Sequence, residues 1–270
     1  MKAIHPWVRN VFITGCLLSL IAGVQLFMFS THTDLYFAWT IRSPLTAATL
    51  GAFYFGTMTF GGLSARETQW DHVKAPTAGL FAFLWLTGLV TFLHLENFHL
   101  LSANLFTRFV AWVWILIYTL VPIGLVLALI QQRHLPLLGE TPVSMPLSSG
   151  LRSVLALHSL AGLLIGTALL LSPGSLLSFW GWPLTPLTAQ ALAAWLIAYG
   201  LMDAVLVFRN NQAACKIPAV GYLVSSGMAL LALFNFSVEM SWLSLGGVGY
   251  LAYLAGMVRV GLASVSSRFR

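Results

Sequence analysis

The sequence is poor in charged residues. Only 7% of its 270 residues are Asp, Glu, Lys or Arg, whereas 59% are hydrophobic. A water-soluble domain carries about a quarter charged residues, because polar groups must cover its surface. A surface that faces acyl chains needs no such cover. The deficit therefore excludes an ordinary soluble domain and indicates an integral membrane protein.

Several chemical signatures are also missing. Two cysteines, Cys16 and Cys215, are too few for a disulfide framework, and we expect both to be free thiols. The sequence has no phosphate-binding glycine loop, His-Glu-x-x-His pair, Gly-x-Ser-x-Gly turn or CxxC. Motifs therefore assign no catalytic residue, metal ligand or cofactor and favour a protein that is not an enzyme, although haem, quinone and metal remain open.

The net charge of +6 does not indicate a nucleic-acid partner. The basic residues occur singly or in pairs between apolar runs, whereas binding to phosphates requires a basic patch. Nucleic acid is therefore excluded as a partner, and the basic residues are interpreted as topology signals.

The sequence is rich in long apolar runs. About twenty apolar residues cross a hydrocarbon core of about 30 Å, and eight stretches qualify. They are residues 11–30, 44–63, 76–95, 109–130, 154–172, 187–208, 217–236 and 243–263. The segments between them are polar or rich in proline and glycine, above all 131–150. The sequence thus predicts an all-α integral membrane protein with about eight transmembrane helices.

Lysine and arginine are distributed unevenly between the predicted loops. If the N-terminus is inside, only Arg42 and Arg108 lie outside. Basic residues are enriched in cytoplasmic loops, so we expect both termini in the cytoplasm and the protein in a bacterial inner (plasma) membrane. The eleven cytoplasmic residues are Lys2, Arg9, Arg66, Lys74, Arg133, Arg152, Arg209, Lys216, Arg259, Arg268 and Arg270.

An internal similarity emerges when the sequence is aligned with itself so that position 44 falls on position 186. In this alignment, which we call the repeat register, residues 44–47 (Pro-Leu-Thr-Ala) match 186–189, and 74–79 (Lys-x-Pro-x-x-Gly) match 216–221. Since proline is favoured in the first helical turn, we expect two helices of each copy to begin at these prolines. A unit of four helices, an even number, gives two repeats in parallel orientation. We predict a first repeat at 1–135, a cytoplasmic linker at 136–149 and a second repeat at 150–270.

Residues 182–189, Trp-Pro-Leu-Thr-Pro-Leu-Thr-Ala, lead into the second helix of the second unit. With this segment, the four-helix unit resembles uncharacterised bacterial four-span membrane proteins of the DoxX-like kind, here in tandem. The resemblance covers the second half more fully than the first. It implies a compact helical bundle in a bacterial inner membrane, and it transfers no catalytic residue.

Three ionisable residues fall within the predicted spans near their cytoplasmic ends. Asp203 lies about 9 Å from the end of the sixth span at 1.5 Å per residue, His158 lies at a similar depth in the fifth, and Arg259 lies in the eighth. Charge is costly in a bilayer unless it is paired. We expect Asp203 to point into the bundle and to contact Arg259, His158 or both. The cluster would lock helices together, relay protons, bind substrate or contact lipid head groups.

A second polar set is predicted at the outer face. It comprises His32 and Asp34 after the first span and His94, Glu96 and His99 at the end of the third. Histidine and carboxylate bind metals and haem iron, but residues 94, 96 and 99 of one helix would point in three directions. The spacing favours solvation at the interface, with a metal, haem, quinone or pigment site as the alternative.

Three functions are compatible with this pattern. The leading hypothesis is a non-enzymatic protein of the lipid bilayer that binds or moves a small apolar molecule through two similar halves. The second is a membrane redox or metal-linked enzyme that uses the outer histidines. The third is a scaffold or accessory subunit that packs against another membrane protein or a second copy of itself.

Overall fold

The structure, a computed structural model, describes residues 2–137 and 145–266. In this part of the chain the architecture is all-helical, with only two isolated β-bridges. Arg268, Arg270 and the middle of the predicted linker lie outside the described residues. The helices are α1 (Pro6–Met28), α2 (Thr33–Tyr36), α3 (Pro44–Arg66), α4 (Trp70–Leu93), α5 (Leu105–His134), α6 (Ser149–Leu171), α7 (Pro173–Leu176), α8 (Pro186–Arg209), α9 (Lys216–Asn235) and α10 (Leu245–Ser266).

Seven of these helices, α1, α4, α5, α6, α8, α9 and α10, are long and apolar enough to cross a membrane. The protein is therefore a polytopic α-helical membrane protein. The eighth long helix, α3, has 23 residues and contains four threonines, four glycines and one serine. It packs between α1 and α9, and small or weakly polar residues are typical of surfaces where membrane helices contact each other. The eight predicted spans correspond to these eight long helices.

The start of α4 differs from the prediction. We expected a helix that begins at Pro76, but α4 begins at Trp70 and contains Pro76 in its interior. The extra turn is held by a hydrogen bond from the Trp70 N–H to the carbonyl of Lys2 (3.0 Å) and by a 2.5 Å ion pair between Lys74 and Asp71. Pro76 has no N–H to donate, and its ring crowds the carbonyl of the preceding turn, so the turn before it depends on these contacts outside the regular helical hydrogen bonds.

The helices pair in the same pattern in both halves of the chain. α1 packs on α3 as α6 packs on α8, and α5 packs on α1 and α4 as α10 packs on α6 and α9. In the repeat register α3 corresponds to α8 and α4 corresponds to α9. The contacts between the halves follow this correspondence, because α3 packs on α9 and α8 packs on α4. The helices α3, α4, α8 and α9 thus form the centre of the bundle.

Small residues allow the two central crossings to be close. A methyl group at Gly56 of α3 would lie 3.2 Å from the carbonyl oxygen of Gly221 in α9, and one at Gly79 of α4 would lie 3.0 Å from that of Ala198 in α8. In the repeat register Gly56 corresponds to Ala198, and Gly79 corresponds to Gly221. The same pair of positions therefore forms both crossings.

The repeat register recurs in other features. The 3-10 helices Leu95–Asn97 and Ser237–Glu239, which follow α4 and α9, occupy equivalent positions in it. Phe53 and Trp195 are also equivalent, and their rings contact each other with their centroids at 5.8 Å. Equivalent positions of the register thus meet between α3 and α8.

The loop between α3 and α4 carries an acidic side chain in a network. The backbone N–H groups of Thr68 (2.8 Å) and Gln69 (3.2 Å) donate to Oε1 of Glu67, and Nδ1 of His72 is 3.2 Å from Oε2. Partial burial raises the pKa of Glu67, but the two N–H donors and His72 outweigh it and hold this pKa below its usual value. The carboxylate is therefore stabilised in its charged form.

Candidate functional site

A buried polar cluster, the Asp203 cluster, lies between α6, α8, α9 and α10. Asp203 is fully buried, and Nδ1 of His158 lies 2.5 Å from its Oδ2. The hydroxyl of Tyr222 donates to the other carboxylate oxygen at 2.7 Å. The ring of Tyr253 stacks on His158 with a centroid distance of 3.9 Å. Asp203 thus points into the bundle and pairs with His158, one of its two expected partners.

Arg259 does not join this cluster. Its side chain is exposed, and among the described residues it forms no ion pair with an acidic group. Helix rotation explains the difference, because Tyr253, Met257 and Val260 form the buried stripe of α10. With 3.6 residues per turn, Arg259 lies about 100° or more away from each of these residues. The predicted depth of Arg259 in the membrane was therefore not enough to predict a contact with Asp203.

Two polar atoms of the Asp203 cluster have no partner. Nε2 of His158 and the hydroxyl of Tyr253 are buried without a hydrogen bond to any described residue. An ionised carboxylate only accepts hydrogen bonds, so Nδ1 of His158 donates to it when Asp203 is charged. In the neutral imidazole Nε2 is then an acceptor, and it is buried without a donor among the described residues. The pair thus joins α6 to α8 and leaves one ring nitrogen unsatisfied.

The equivalent crossing of the first half contains no ionisable pair. In the repeat register, Cys16 and Gly61 take the places of His158 and Asp203. They also meet, since a methyl group at Gly61 would lie 3.2 Å from Cβ of Cys16. Both cysteines of the chain are free thiols, as expected. The crossing of α1 on α3 therefore forms without the charges that α6 and α8 carry.

An apolar cleft of about 410 Å³ lies between α1, α3, α4 and α5. Its walls include Ile21, Phe106 and Phe109, whose side chains are exposed on the outside of the bundle. Since this surface of a membrane helix faces acyl chains, the cleft opens sideways towards lipid between α1 and α5. Pockets for small ligands have volumes of about 300–1,000 Å³, so the cleft is large enough for one.

Few polar groups face this cleft. They include the buried Ser19 and the hydroxyls of Tyr54 and Tyr118, which lie 2.7 Å apart. Two hydroxyls share one hydrogen bond, and the second hydroxyl proton finds no acceptor among the described residues. The equivalent positions of the second half hold the apolar Leu196 and Val260. The tyrosine pair therefore belongs to the first half alone.

The cleft and the Asp203 cluster lie near each other in the middle of the bundle. A small cavity of about 40 Å³ is lined by Thr57 and Phe83, which also line the cleft, and by Tyr199. The ring of Tyr199 contacts that of Tyr222, with centroids 5.4 Å apart. Tyr222 in turn donates to Asp203. One layer of tyrosine rings thus separates the two features.

Of the five outer polar residues, the structure brings only His94 and Glu96 together. His94 contacts Gln190 of α8 through Nε2 (2.6 Å), and Nε2 of His99 lies 3.0 Å from the hydroxyl of Thr40. The ring of His32 is hydrogen-bonded to the hydroxyl of its neighbour Thr31, with Nδ1 and Oγ1 2.8 Å apart. The 3-10 turn after α4 separates His94 and His99, which therefore face different neighbours.

The outer carboxylates do not complete a metal site either. Asp34 and Glu96 are exposed, and Glu96 lies 3.7 Å from Nδ1 of His94. Within the described ranges no three His, Cys, Asp or Glu side chains are grouped so that they could hold a metal ion. The geometry therefore gives no support to a metal centre at this face.

Sequence reasoning missed the tyrosines that define both features. Tyr54, Tyr118, Tyr222 and Tyr253 lie within apolar runs, where tyrosine is an ordinary residue and carries no distinguishing signal. Glu239 was also missed: its carboxylate accepts a 2.5 Å hydrogen bond from the hydroxyl of Ser43 at the start of α3. Such contacts join residues that are far apart in the chain and could be found only from the packing of the helices.

No protein-family model, curated protein or solved structure matches this chain. The function can therefore be inferred only from its own residues and their geometry.

Proposed function

We propose that this membrane protein binds a small, largely apolar molecule in the cleft between α1, α3, α4 and α5. The observation that carries this proposal is the cleft itself, with a volume of about 410 Å³ and walls that are almost entirely apolar. It opens towards lipid between α1 and α5, so a ligand dissolved in the bilayer can enter it without crossing water. Burial of apolar ligand surface inside well-packed walls supplies the affinity.

The tyrosine pair gives the cleft one point of specificity. Tyr54 and Tyr118 have one free hydroxyl proton between them, and both are buried. A buried donor without a partner costs free energy, so a ligand that offers an acceptor there gains affinity. We expect an apolar ring or chain that carries one carbonyl or ether oxygen.

Filling the cleft tests this function. Gly15 lines the cleft, and a side chain there would begin in open space, with no atom within 4 Å. Gly15→Leu should therefore fold normally and exclude the ligand. Gly124 of α5 is equally open but does not line the cleft, so Gly124→Leu is the matched control.

The measurement is mass spectrometry of small molecules extracted from protein purified in mild detergent. The wild type and Gly124→Leu should carry the same apolar compound, and Gly15→Leu should have lost most of it. Equal amounts in all three proteins would contradict the proposal. A visible absorption band or a bound metal would instead favour a redox enzyme, and a stably bound protein without a small molecule would favour a scaffold.

We also propose a location and an origin. The excess of lysine and arginine in one set of loops supports a bacterial inner membrane protein with both termini in the cytoplasm. The similar helix pairing of the two halves supports the tandem duplication of a four-helix unit, and we propose that this unit is of the DoxX-like kind. An experimental structure should superpose the halves by rotation about the membrane normal, and an in-plane axis would refute the parallel repeat.

A further inference from the structure

A second groove, which we name the basic groove, lies at the end of the bundle that holds the N-terminal segment. It has a volume of about 1030 Å³ and runs between α4, α5 and α8. It shares no lining residue with the apolar cleft, so the two can be altered separately. The proposed function makes no use of it.

Four cations and one acid line the rim of this groove. Asp71 accepts a 2.5 Å contact from Lys74 and a 2.6 Å contact from Arg209, so two cations share one carboxylate. Lys2 donates to the backbone carbonyl of Arg133 at 2.8 Å, which places its ammonium group at the end of α5, and both residues line the groove. In the described part of the chain neither has an acidic partner. The rim therefore carries an uncompensated positive charge.

The walls below the rim are apolar. Along α4 the groove passes from Lys74 to Phe81, a rise of about 10 Å at 1.5 Å per residue. Leu129 of α5 and Phe208 of α8 form other parts of the wall. Phe81 and Phe208 are exposed, so the groove is open to the acyl chains of the surrounding leaflet.

From these observations we infer that the basic groove binds an anionic phospholipid. Its phosphodiester pairs with Arg133 and Lys2, and one acyl chain lies along the wall towards Phe81. Basic residues near the surface of a membrane attract anionic lipids, whereas a zwitterionic lipid has no net charge to offer them. A free phosphate would satisfy the rim but would leave the apolar walls unfilled, so the groove fits a lipid better than an ion.

The test compares lipid binding to delipidated protein in detergent by native mass spectrometry. The probes are dioleoyl phosphatidylglycerol, dioleoyl phosphatidylcholine with the same chains, and inorganic phosphate. Phosphatidylglycerol should bind at least tenfold more tightly than phosphatidylcholine, and Lys2→Gln with Arg133→Gln should weaken it by about fivefold per removed cation. The control Arg66→Gln with Arg152→Gln removes the same charge outside the groove and should have no effect.

A third variant tests the contribution of the acyl chain separately from that of the head group. Ala78 forms part of the wall of the basic groove, and Ala78→Phe should block the acyl chain and reduce phosphatidylglycerol binding while the rim charges remain. Circular dichroism and gel filtration confirm that each variant is folded. The inference is overturned if both lipids bind equally, if the control variant weakens binding as much as the groove variant, or if inorganic phosphate competes at lipid concentrations.

Discussion

Replacement of Asp203 measures how strongly the buried cluster stabilises the bundle. Asp203→Leu deprives two buried groups, Nδ1 of His158 and the hydroxyl of Tyr222, of their acceptor. A hydrogen bond to a charged group contributes about 1.5–3 kcal/mol, and breaking a buried pair from one side costs about 3–5 kcal/mol. We expect the free energy of unfolding to fall by about 3–5 kcal/mol.

A double-mutant cycle isolates the pair. His158→Leu alone leaves the carboxylate with Tyr222 as its one hydrogen-bond partner in the described part of the chain and should cost a similar amount. Because the second replacement removes the group that the first left unpaired, the double variant should cost about 1–3 kcal/mol less than the sum of the singles. If the double variant folds but no longer binds its ligand, the cluster serves function as well as stability.

The assay is unfolding in mixed micelles with an increasing fraction of dodecyl sulfate, followed by circular dichroism. Cys16→Ala, at the uncharged crossing of the first half, is the control and should change stability by less than about 1 kcal/mol. A cost below about 1 kcal/mol for Asp203→Leu, or strict additivity of the two single replacements, would refute the coupling between His158 and Asp203.

Three further predictions use simpler changes. Gly51→Ala should destabilise the protein by about 1–3 kcal/mol, since a methyl group there would lie 2.7 Å from the Phe27 nitrogen; Gly124→Ala, which meets no atom within 4 Å, should be neutral or stabilising in the same unfolding assay. The pKa of Glu67 is lowered in the fold, so Glu67→Gln should be less stable than wild type above the ordinary pKa of 4.5, and the difference should vanish as the pH falls through the lower folded value. A difference that grows in acid would contradict this sign. Reporter fusions at both termini should behave as cytoplasmic, and an external terminus would refute the proposed topology.

The spans were predictable because hydropathy acts along the chain. An apolar run of about twenty residues has few alternatives to a membrane helix, and Asp203 and His158 were identifiable because ionisable residues are rare within such runs. Contacts between helices could not be predicted in this way, because they depend on how each helix is rotated about its axis. Arg259 was expected at the depth of Asp203, but it lies on an exposed face of α10. The rotation of α10 is set by its packing against α6 and α9.

The candidate ligand site could not be predicted from the sequence either, because it also depends on contacts between helices. The cleft depends on four helices that leave space between them, and Tyr54 meets Tyr118 across 64 positions of the chain. For the outer histidines, the spacing along the chain favoured solvation at the interface, but it could not identify their partners. His94 pairs with Gln190, 96 residues away, and this contact arises only from the packing between the halves.

The most direct test of the proposed ligand site is photolabelling in nanodiscs with a naphthyl diazirine, with the labelled residues mapped by mass spectrometry. The account predicts labels on the cleft side of α5, at Val110, Trp114 and Tyr118, and their loss in Gly15→Leu. Labels confined to the exposed Leu116 and Leu120, unchanged by Gly15→Leu, would contradict it.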